Sequence, residues 1–458
     1  MKRNPVLLLT IIMLVTLVIA ACATATAPPQ PVEPAATEEM PVEEPTEVPM
    51  EEPTEEPMEE PTEEPMEEPT EEPMEEPTLA GTIRIGAALS ETGNYATVGL
   101  DVRQGYELWK NYVNEELGGI NVGGELYDVD IIYYDDESDA DTSTRLTEQL
   151  ISGDEVDFIL GPYGSSLTMA TSTITEQHGI IMIEANGAAE TIFDRGYNYV
   201  FGVLSPASYY SKAAMDALES VGAETIAVAY EDNAFSIAIK DGILQWADEL
   251  GFEVVAEEIY PNGETSSAVF DPIMTKFKAL EPDAYINAGH LNDGIAARAS
   301  QKSLGFCPGA SFFMASANFP AFIEELGEDS AYAGGSTQWQ ATMSYDGMYI
   351  GTPQDFYDRY TAAYDMEPTY QAAESAAAGF TLQYALESAG SLDTEAVRQA
   401  LLDMDIMTFF GAINFDETGK NAAHAMAAGQ IIDDQFQIVY PPDAAVTDFV
   451  YPDPSCEP

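Results

Sequence analysis

The sequence predicts an α/β body made of two consecutive units, each a parallel sheet covered by helices. Three observations carry this expectation. From Gly81 onward, short β-rich runs alternate with segments of helical period. The runs are apolar almost throughout, as strands are when helices bury both faces of a parallel sheet. The chain has 458 residues, 45% of them hydrophobic, which is enough to fill two cores at roughly 100–200 residues per domain.

Taken in order, TIRIGAAL (82–89) is the first strand, and the turn-prone SETGN follows it. Val102, Tyr106, Trp109, Val113 and Leu117 recur at steps of four and three, which places them on one helix face. Gly118 and Gly119 end that helix, as residues able to adopt a left-handed cap do. VDIIYY (129–134), VDFILG (156–161) and IIMIEA (180–185) complete the first series of strands. The second comprises TIAVAYE (225–231), FEVVAEEIY (252–260), DAYINAG (283–289) and SFFMAS (311–316), with helices between them, including 234–250. Ligands of such sheets sit outside the carboxyl ends of the strands. Two facing sheets therefore gather their loops into one cleft, a geometry suited to a clamp closing on a small molecule.

Ahead of this body, Lys2 and Arg3 precede an apolar run over 5–21, the order of an export signal. The run ends in Ile19-Ala20-Ala21-Cys22, which resembles the lipobox of bacterial lipoproteins. That resemblance implies a signal peptide over 1–21 and lipidation of Cys22, with the mature chain outside the cytoplasm and anchored to the cell membrane. An ordinary cleaved signal and an uncleaved anchor are the alternatives. A thioether-linked diacylglycerol with an amide-linked chain supplies the two-chain anchoring that holds a protein stably on a bilayer. Residues 22–80 form an acidic Pro/Glu-rich linker that cycles through EEPT and EEPM. Regular Pro biases such a segment to polyproline II and paired Glu residues extend it, so it is either a stalk or a neutral repeat expansion.

Charge and motif counts exclude several functions. Eighty acids against 16 Lys plus Arg give a net charge of -64. Twenty of the acids lie in residues 23–80, so the body keeps 60 acids against 14 bases. Nucleic-acid affinity rests on Lys and Arg replacing phosphate counterions, so no nucleic-acid partner is expected. His178, His290 and His424 are scattered, and three cysteines offer no CxxC pair; no metal and no cofactor are implied. YYDDESDAD lacks the Gly and Glu of a calcium loop, and Asp139 is instead expected to cap a helix over 142–151. DETGKN misses the pattern of a phosphate loop, and GPYGSS is not a GxSxG elbow. No catalytic residues are assigned, and the chain is not expected to be an enzyme. Cys307 and Cys456 remain after Cys22, a candidate disulfide between the second lobe and the C-terminal tail in an oxidising compartment.

A resemblance becomes specific when LSETGNYATVGLDVRQGYEL, IIYYDDESD, FILGPYGSSLTMA, IMIEANGAAE, YVFGVLSPAS, AVAYEDNAFS, PDAYINAGH, STQWQ and FFGAINFDETGKN are taken together in order. The chain resembles type I periplasmic binding proteins of the leucine/isoleucine/valine-binding group, the receptors of ABC importers for branched-chain amino acids and related solutes. The resemblance covers Gly81 to about Tyr440. It implies two Rossmann-like lobes joined by three hinge crossings, near Leu204, Thr337 and Gly411. Lobe 1 would then hold 81–204 and 337–411, lobe 2 would hold 205–336 and 412–442, and 443–458 would be a tail. The implied partners are a small-molecule solute, ABC permease subunits and, through the lipid anchor, the membrane.

The resemblance also maps a binding site. The loop GPYGSS precedes a helix N-terminus, where free N–H groups favour an anion, and it implies that Ser165 and Ser166 hold a ligand carboxylate; helix capping is the alternative for Ser166. In the loop EANGAAE, the family's carboxylate-binding Thr is matched by Ala188, which leaves the Asn186 amide and backbone N–H groups around Gly187. Phe235 matches an aromatic placed against the ligand, and His290 matches a further contact, with a locally bonded imidazole as its alternative. Where amino-acid binders carry an acid for the ligand ammonium, this chain has Ser316, Ala317 and Asn318. Glu184 and Glu231 are the candidates to replace that acid, unless each points to solvent. Trp339 either stacks on a ligand or packs the hinge, and Tyr95 either closes over the cleft or does not reach it. A sensor subunit reporting to a membrane kinase or chemoreceptor is the alternative function, and an extracellular hydrolase a third.

Overall fold

The computed structural model describes residues 78–456. The export segment, Cys22 and the acidic repeat up to residue 77 lie outside the described residues.

Lobe 1 begins with β1 (Gly81–Leu89), α1 (Ala96–Asn111), β2 (Ile120–Val122), β3 (Glu125–Asp135), α2 (Ala140–Ser152), β4 (Phe158–Leu160), α3 (Ser165–His178), β5 (Met182–Glu184) and β6 (Val200–Gly202). The sheet order is β2-β3-β1-β4-β5-β6. Every pair is parallel except the β2–β3 hairpin. Val102, Tyr106, Trp109 and Val113 are all fully buried on one face, as their spacing predicts, whereas Leu117 is 41% exposed. The difference arises because the helix widens to a π-helical turn over Tyr112–Leu117, which carries the last position out of the stripe. Gly118 then ends it at φ 71°. Asp139 caps α2 by accepting a hydrogen bond from the Thr142 N–H, so the acidic run serves turn and cap.

Lobe 2 takes α4 (Lys212–Ser220), β7 (Thr225–Glu231), α5 (Ala234–Leu250), β8 (Glu253–Tyr260), α6 (Ser267–Leu280), β9 (Ala284–Ala288), α7 (Leu291–Ser303), β10 (Ala310–Phe313), α8 (Pro320–Leu326) and β11 (Ala333–Thr337). The chain then returns to lobe 1 with α9 (Pro353–Tyr364), α10 (Tyr370–Ala389), α11 (Thr394–Leu402) and the hairpin β12 (Asp405–Met407) and β13 (Ala412–Asn414). α10 packs along α1, with Gly379 against the Trp109 ring. It is buried almost all round, as helices without an apolar stripe are when neighbours cover every face. β14 (Ala427–Ile432) and β15 (Gln435–Tyr440) complete the second sheet, in the order β15-β14-β11-β10-β9-β7-β8. These last two strands are antiparallel.

The third crossing falls later than Gly411. Gly202 N donates to Gly419 O, Asn421 N donates to Gly202 O, and the Asn421 amide donates to Val203 O and Ala412 O. These bonds stitch the chain to the end of β6, so residues 412–421 stay with lobe 1 and the passage lies around His424. The three crossings meet there. Ser205 N donates to Gln338 Oε1 at 2.7 Å, Ser205 Oγ donates to His424 O at 2.7 Å, and His424 Nε2 donates to Gln338 O at 3.0 Å. Burial pulls the His424 imidazole down to about 4, so it is neutral at the hinge. The tail packs on lobe 2, with Asp453 N donating to Gly309 O and Cys307 bonded to Cys456. Among the described residues, no helix is long and apolar enough to cross a membrane.

Candidate functional site

The loops after β1 and β4 in lobe 1 face those after β7, β8 and β9 in lobe 2. They enclose a cavity of about 30 Å³ whose lining includes Asn94, Tyr95 and Tyr163 from the first lobe and Glu231, His290 and Asp293 from the second. Ring centroids lie 5.3 Å apart for Tyr95 and Tyr163, 5.2 Å for Tyr95 and His290, and 5.9 Å for Tyr163 and His290. Phe235 continues the series at 5.1 Å from His290, and Tyr210 lies 5.2 Å from Phe235. One direct polar bond bridges the same wall, Asn292 Nδ2 donating to Asn94 O at 3.0 Å.

The charged part of the wall follows from how two strands end. β7 ends on Glu231, and Asn233 caps α5 through its Oδ1 while its Nδ2 donates to Glu231 Oε2 at 2.6 Å. β9 ends before Gly289, where a Cβ would collide with the Asp293 carboxyl and the Tyr260 hydroxyl; only glycine lets the chain turn so tightly into α7. His290 then sits at the head of that helix, with its N–H donating to Asp293 Oδ1 at 2.9 Å and its Nδ1 donating to Glu231 Oε2 at 2.6 Å. Burial alone would raise the Glu231 carboxyl, but the His290 charge and three hydrogen bonds outweigh it and hold the group below its usual range. Burial likewise pulls His290 down, yet Glu231 and Asp293 prevail and raise it. The pair is therefore a buried ion pair, and burial together with the Glu231 charge pushes Asp293 upward. These three residues bring ligand atoms within 4.8 Å of one another. Their oxygens already accept from His290, Asn233, Gly263 and Tyr260, so the donor set is spent on the protein itself and does not fit a metal.

Lobe 1 differs from the sequence expectation. Ser165 is fully buried, and its Oγ accepts from Ala189 N at 3.0 Å, tying the two loops together. Asn186 N donates to Glu184 Oε1 at 2.6 Å, and the Asn186 amide donates to Ser375 Oγ at 2.9 Å. Gly187 packs against Thr168, and Ala188 is buried with its carbonyl accepting from Ala207 N. Two of the N–H groups expected for a carboxylate, those of Asn186 and Ala189, are thus engaged within the lobe. Ser166 alone remains half-buried on the uncapped first turn of α3. Glu184 neither faces solvent nor reaches the cleft; it tucks under Gly161, and burial pushes its carboxyl up to about 8. Ser316 Oγ donates to His290 O at 2.6 Å, and Ala317 is buried. Trp339 packs on Phe356 with its Nε1 donating to Phe409 O at 3.1 Å, and it lines a separate crevice beside Asn318. It holds the hinge and takes no part in the aromatic wall.

Tyr163 and Asp293 also line the cavity, and Tyr210 adjoins Phe235, none of them singled out by the sequence. Tyr163 stood in the loop GPYGSS, where its aromatic ring was the signal. Glu374, on α10, accepts from Gln338 Nε2 at 3.0 Å, and the same amide donates to the Tyr210 hydroxyl at 2.7 Å. Burial and then Glu184 push the Glu374 carboxyl well above its usual range.

Comparison with known proteins agrees with this architecture. A family profile described as periplasmic binding protein matches residues 82–435. Leu/Ile/Val-binding protein homolog 7 of Brucella abortus is 24% identical over 393 residues, covering 81% of this chain and 94% of that protein. Homolog 8 of the same species is 23% identical over 385 residues, covering 80% and 92%. Among solved structures, a leucine-binding protein from Thermotoga maritima superposes with a TM-score of 0.70 at 20% identity, covering 79% of this chain and 99% of that one. The branched-chain amino acid substrate-binding protein LivJ from Streptococcus pneumoniae, in complex with isoleucine, gives 0.69 at 21% identity, covering 79% and 100%. An ABC-transporter solute-binding protein from R. palustris in complex with benzoate gives 0.68 at 19% identity, covering 81% and 99%. With a two-lobed α/β fold and a family match over residues 82–435, the chain belongs to the periplasmic binding proteins.

Proposed function

We propose that this solute-binding protein is an extracytoplasmic receptor that closes its lobes on an amino acid or related small polar solute and delivers it to the permease of an ABC importer. Lipidation of Cys22 holds it to the cell membrane. The observation that carries this reading is the wall shared by both lobes, in which Tyr95 and Tyr163 of lobe 1 meet His290 of lobe 2 at ring distances of 5.2 and 5.9 Å, with Phe235 5.1 Å beyond His290. A solute seated among these residues touches both lobes at once, so it binds the closed population more tightly than the open one and shifts the balance toward closure. Solved relatives with isoleucine and with benzoate support a small organic solute. Chemistry on the solute is not required.

A thermal-shift screen against amino acids and related metabolites tests the reading, since a ligand at 100 times its dissociation constant stabilises by about 2.7 kcal/mol. The solute identified in this way loses at least tenfold in affinity on Tyr95→Ala and on Phe235→Ala. Unchanged binding in both variants contradicts the site.

A further inference from the structure

We infer that the chain carries a second small-molecule site, a crevice beside the hinge that takes a neutral carboxamide or urea-type compound through the Asn318 side chain. The crevice shares no lining residue with the cavity at Tyr95 and His290, so it stands apart from the solute cleft proposed above.

The crevice lies where the chain passes from β11 back into lobe 1. Its volume of about 480 Å³ falls within the roughly 300–1,000 Å³ usual for small-molecule sites. Lobe 2 supplies Asn318, Ile323 and Phe436 to its lining, and lobe 1 supplies Trp339, Tyr357 and Pro368. Trp339 is buried and its Nε1 is taken by Phe409 O, so it offers the crevice an apolar ring and no donor. With Ile323 and Phe436 it makes an apolar seat for the carbon part of a ligand.

Asn318 sets the polar part. It is 8% exposed, and neither its Nδ2 nor its Oδ1 has a hydrogen-bond partner among the described residues. Nor does it cap α8, where Phe319 holds the N-cap position without a side-chain bond. A buried amide left unpaired is costly, so a fitting ligand accepts from Nδ2 and donates to Oδ1 at once. A carboxamide, a urea or a lactam presents a carbonyl and an N–H side by side for this. A carboxylate only accepts and sets an oxygen against Oδ1; an ammonium only donates and leaves Nδ2 unpaired. Charge finds no buried partner here either. No Lys or Arg lines the crevice, its buried lining residues Asn318, Trp339 and Ile438 are uncharged, and the acids Glu324, Glu367 and Asp434 are exposed to screening by solvent.

Calorimetry on the full-length chain with three probes sharing one ring, benzamide, benzoate and benzylamine, tests this. Benzamide is expected to bind at least tenfold tighter than either charged probe. Its affinity falls at least tenfold on Asn318→Leu, which keeps the side-chain volume and removes both polar atoms, and falls also on Phe436→Ala. Asn318→Leu breaks no hydrogen bond, so it melts no lower than the parent. Tyr95→Ala changes benzamide affinity by less than about twofold. Benzoate or benzylamine binding as tightly as benzamide, benzamide binding that survives Asn318→Leu, or no benzamide binding at millimolar concentration overturns the inference. Benzamide binding lost on Tyr95→Ala and kept on Asn318→Leu seats the probe in the solute cleft, which removes the second site and leaves the proposed function standing.

Discussion

Lobe 1 meets the cleft with the rings of Tyr95 and Tyr163, whereas lobe 2 meets it with a buried ion pair, a second acid and the Phe235 ring. Ser165 is bonded to Ala189 and, separately, Asn186 to Glu184, and Tyr95 and Tyr163 are the lobe-1 rings that line the cavity. On the opposite side Glu231, His290 and Asp293 stand at the ends of β7 and β9. The rings thus come from both halves and the ion pair from lobe 2 alone, and only closure brings Tyr95 and Tyr163 against His290. The division extends to stability. Lobe 2 carries its own fastenings in the Cys307–Cys456 bridge and the buried Arg298, while lobe 1 relies on the packing of α1 against α10.

The largest expected effect lies in lobe 2. Arg298 is fully buried and donates to Asp329 O, Ala331 O and Gln301 Oε1, with Asp453 3.9 Å away. Arg298→Ala strands those acceptors and the acid, at a cost of about 3–5 kcal/mol in denaturant-induced unfolding. Replacing Cys307 and Cys456 together by Ser frees the tail and a loop of 149 residues. The expected loss is about 2–4 kcal/mol, again read from unfolding, with lobe-1 amide-exchange protection unchanged. Equal loss of protection in both lobes breaks the contrast.

The pH response distinguishes Glu184 from the His290–Glu231 pair. Glu184, at about 8 folded against an ordinary 4.5, holds in the native state a proton that the unfolded chain gives up. Stability is therefore greater in mild acid and falls as pH rises between those values, at about 1.4 kcal/mol per pH unit if Glu184 alone titrates. Glu184→Gln flattens that slope in thermal melts taken from pH about 5 to about 7. The lobe-2 pair behaves otherwise. His290 is raised, so its contribution is present below its ordinary value and is lost as pH climbs through the folded one; Glu231 is lowered, so its contribution is lost only in acid. His290→Gln removes the alkaline loss without touching the Glu184 slope. The smallest effect belongs to Ser166→Ala: its side chain takes no part in the bonds that tie the lobe-1 loops together, so affinity changes by less than about threefold, and a tenfold loss would restore the carboxylate cradle.

The strands were legible because burial on both faces of a parallel sheet leaves uninterrupted apolar runs; β7 spans Thr225–Glu231 and α5 spans Ala234–Leu250, as the pattern predicts. Leu117 misled because a π-helical turn breaks the period that placed it. The crossing near Gly411 was displaced because side-chain bonds from Asn421, which leave no periodic trace, hold the loop to β6. Tyr95, Phe235 and His290 are proposed for the site because each comes within a few residues of the end of β1, β7 or β9, where such sheets gather their loops. Glu374 is not among them: it sits within an Ala-rich helix far along the chain and meets Gln338 only through tertiary packing. Hydrogen bonding sets the Ser165 Oγ against Ala189 N, a contact between two loops that the sequence does not show.

The account's central claim is closure on a solute that touches both halves. Spin labels at exposed Leu100 of lobe 1 and Ile259 of lobe 2, introduced as Leu100→Cys and Ile259→Cys with Cys22 replaced by Ser, report the distance between the lobes directly. Saturating solute should shorten and narrow that distance distribution, and Tyr95→Ala should reverse the change. A distribution identical with and without bound solute would contradict it.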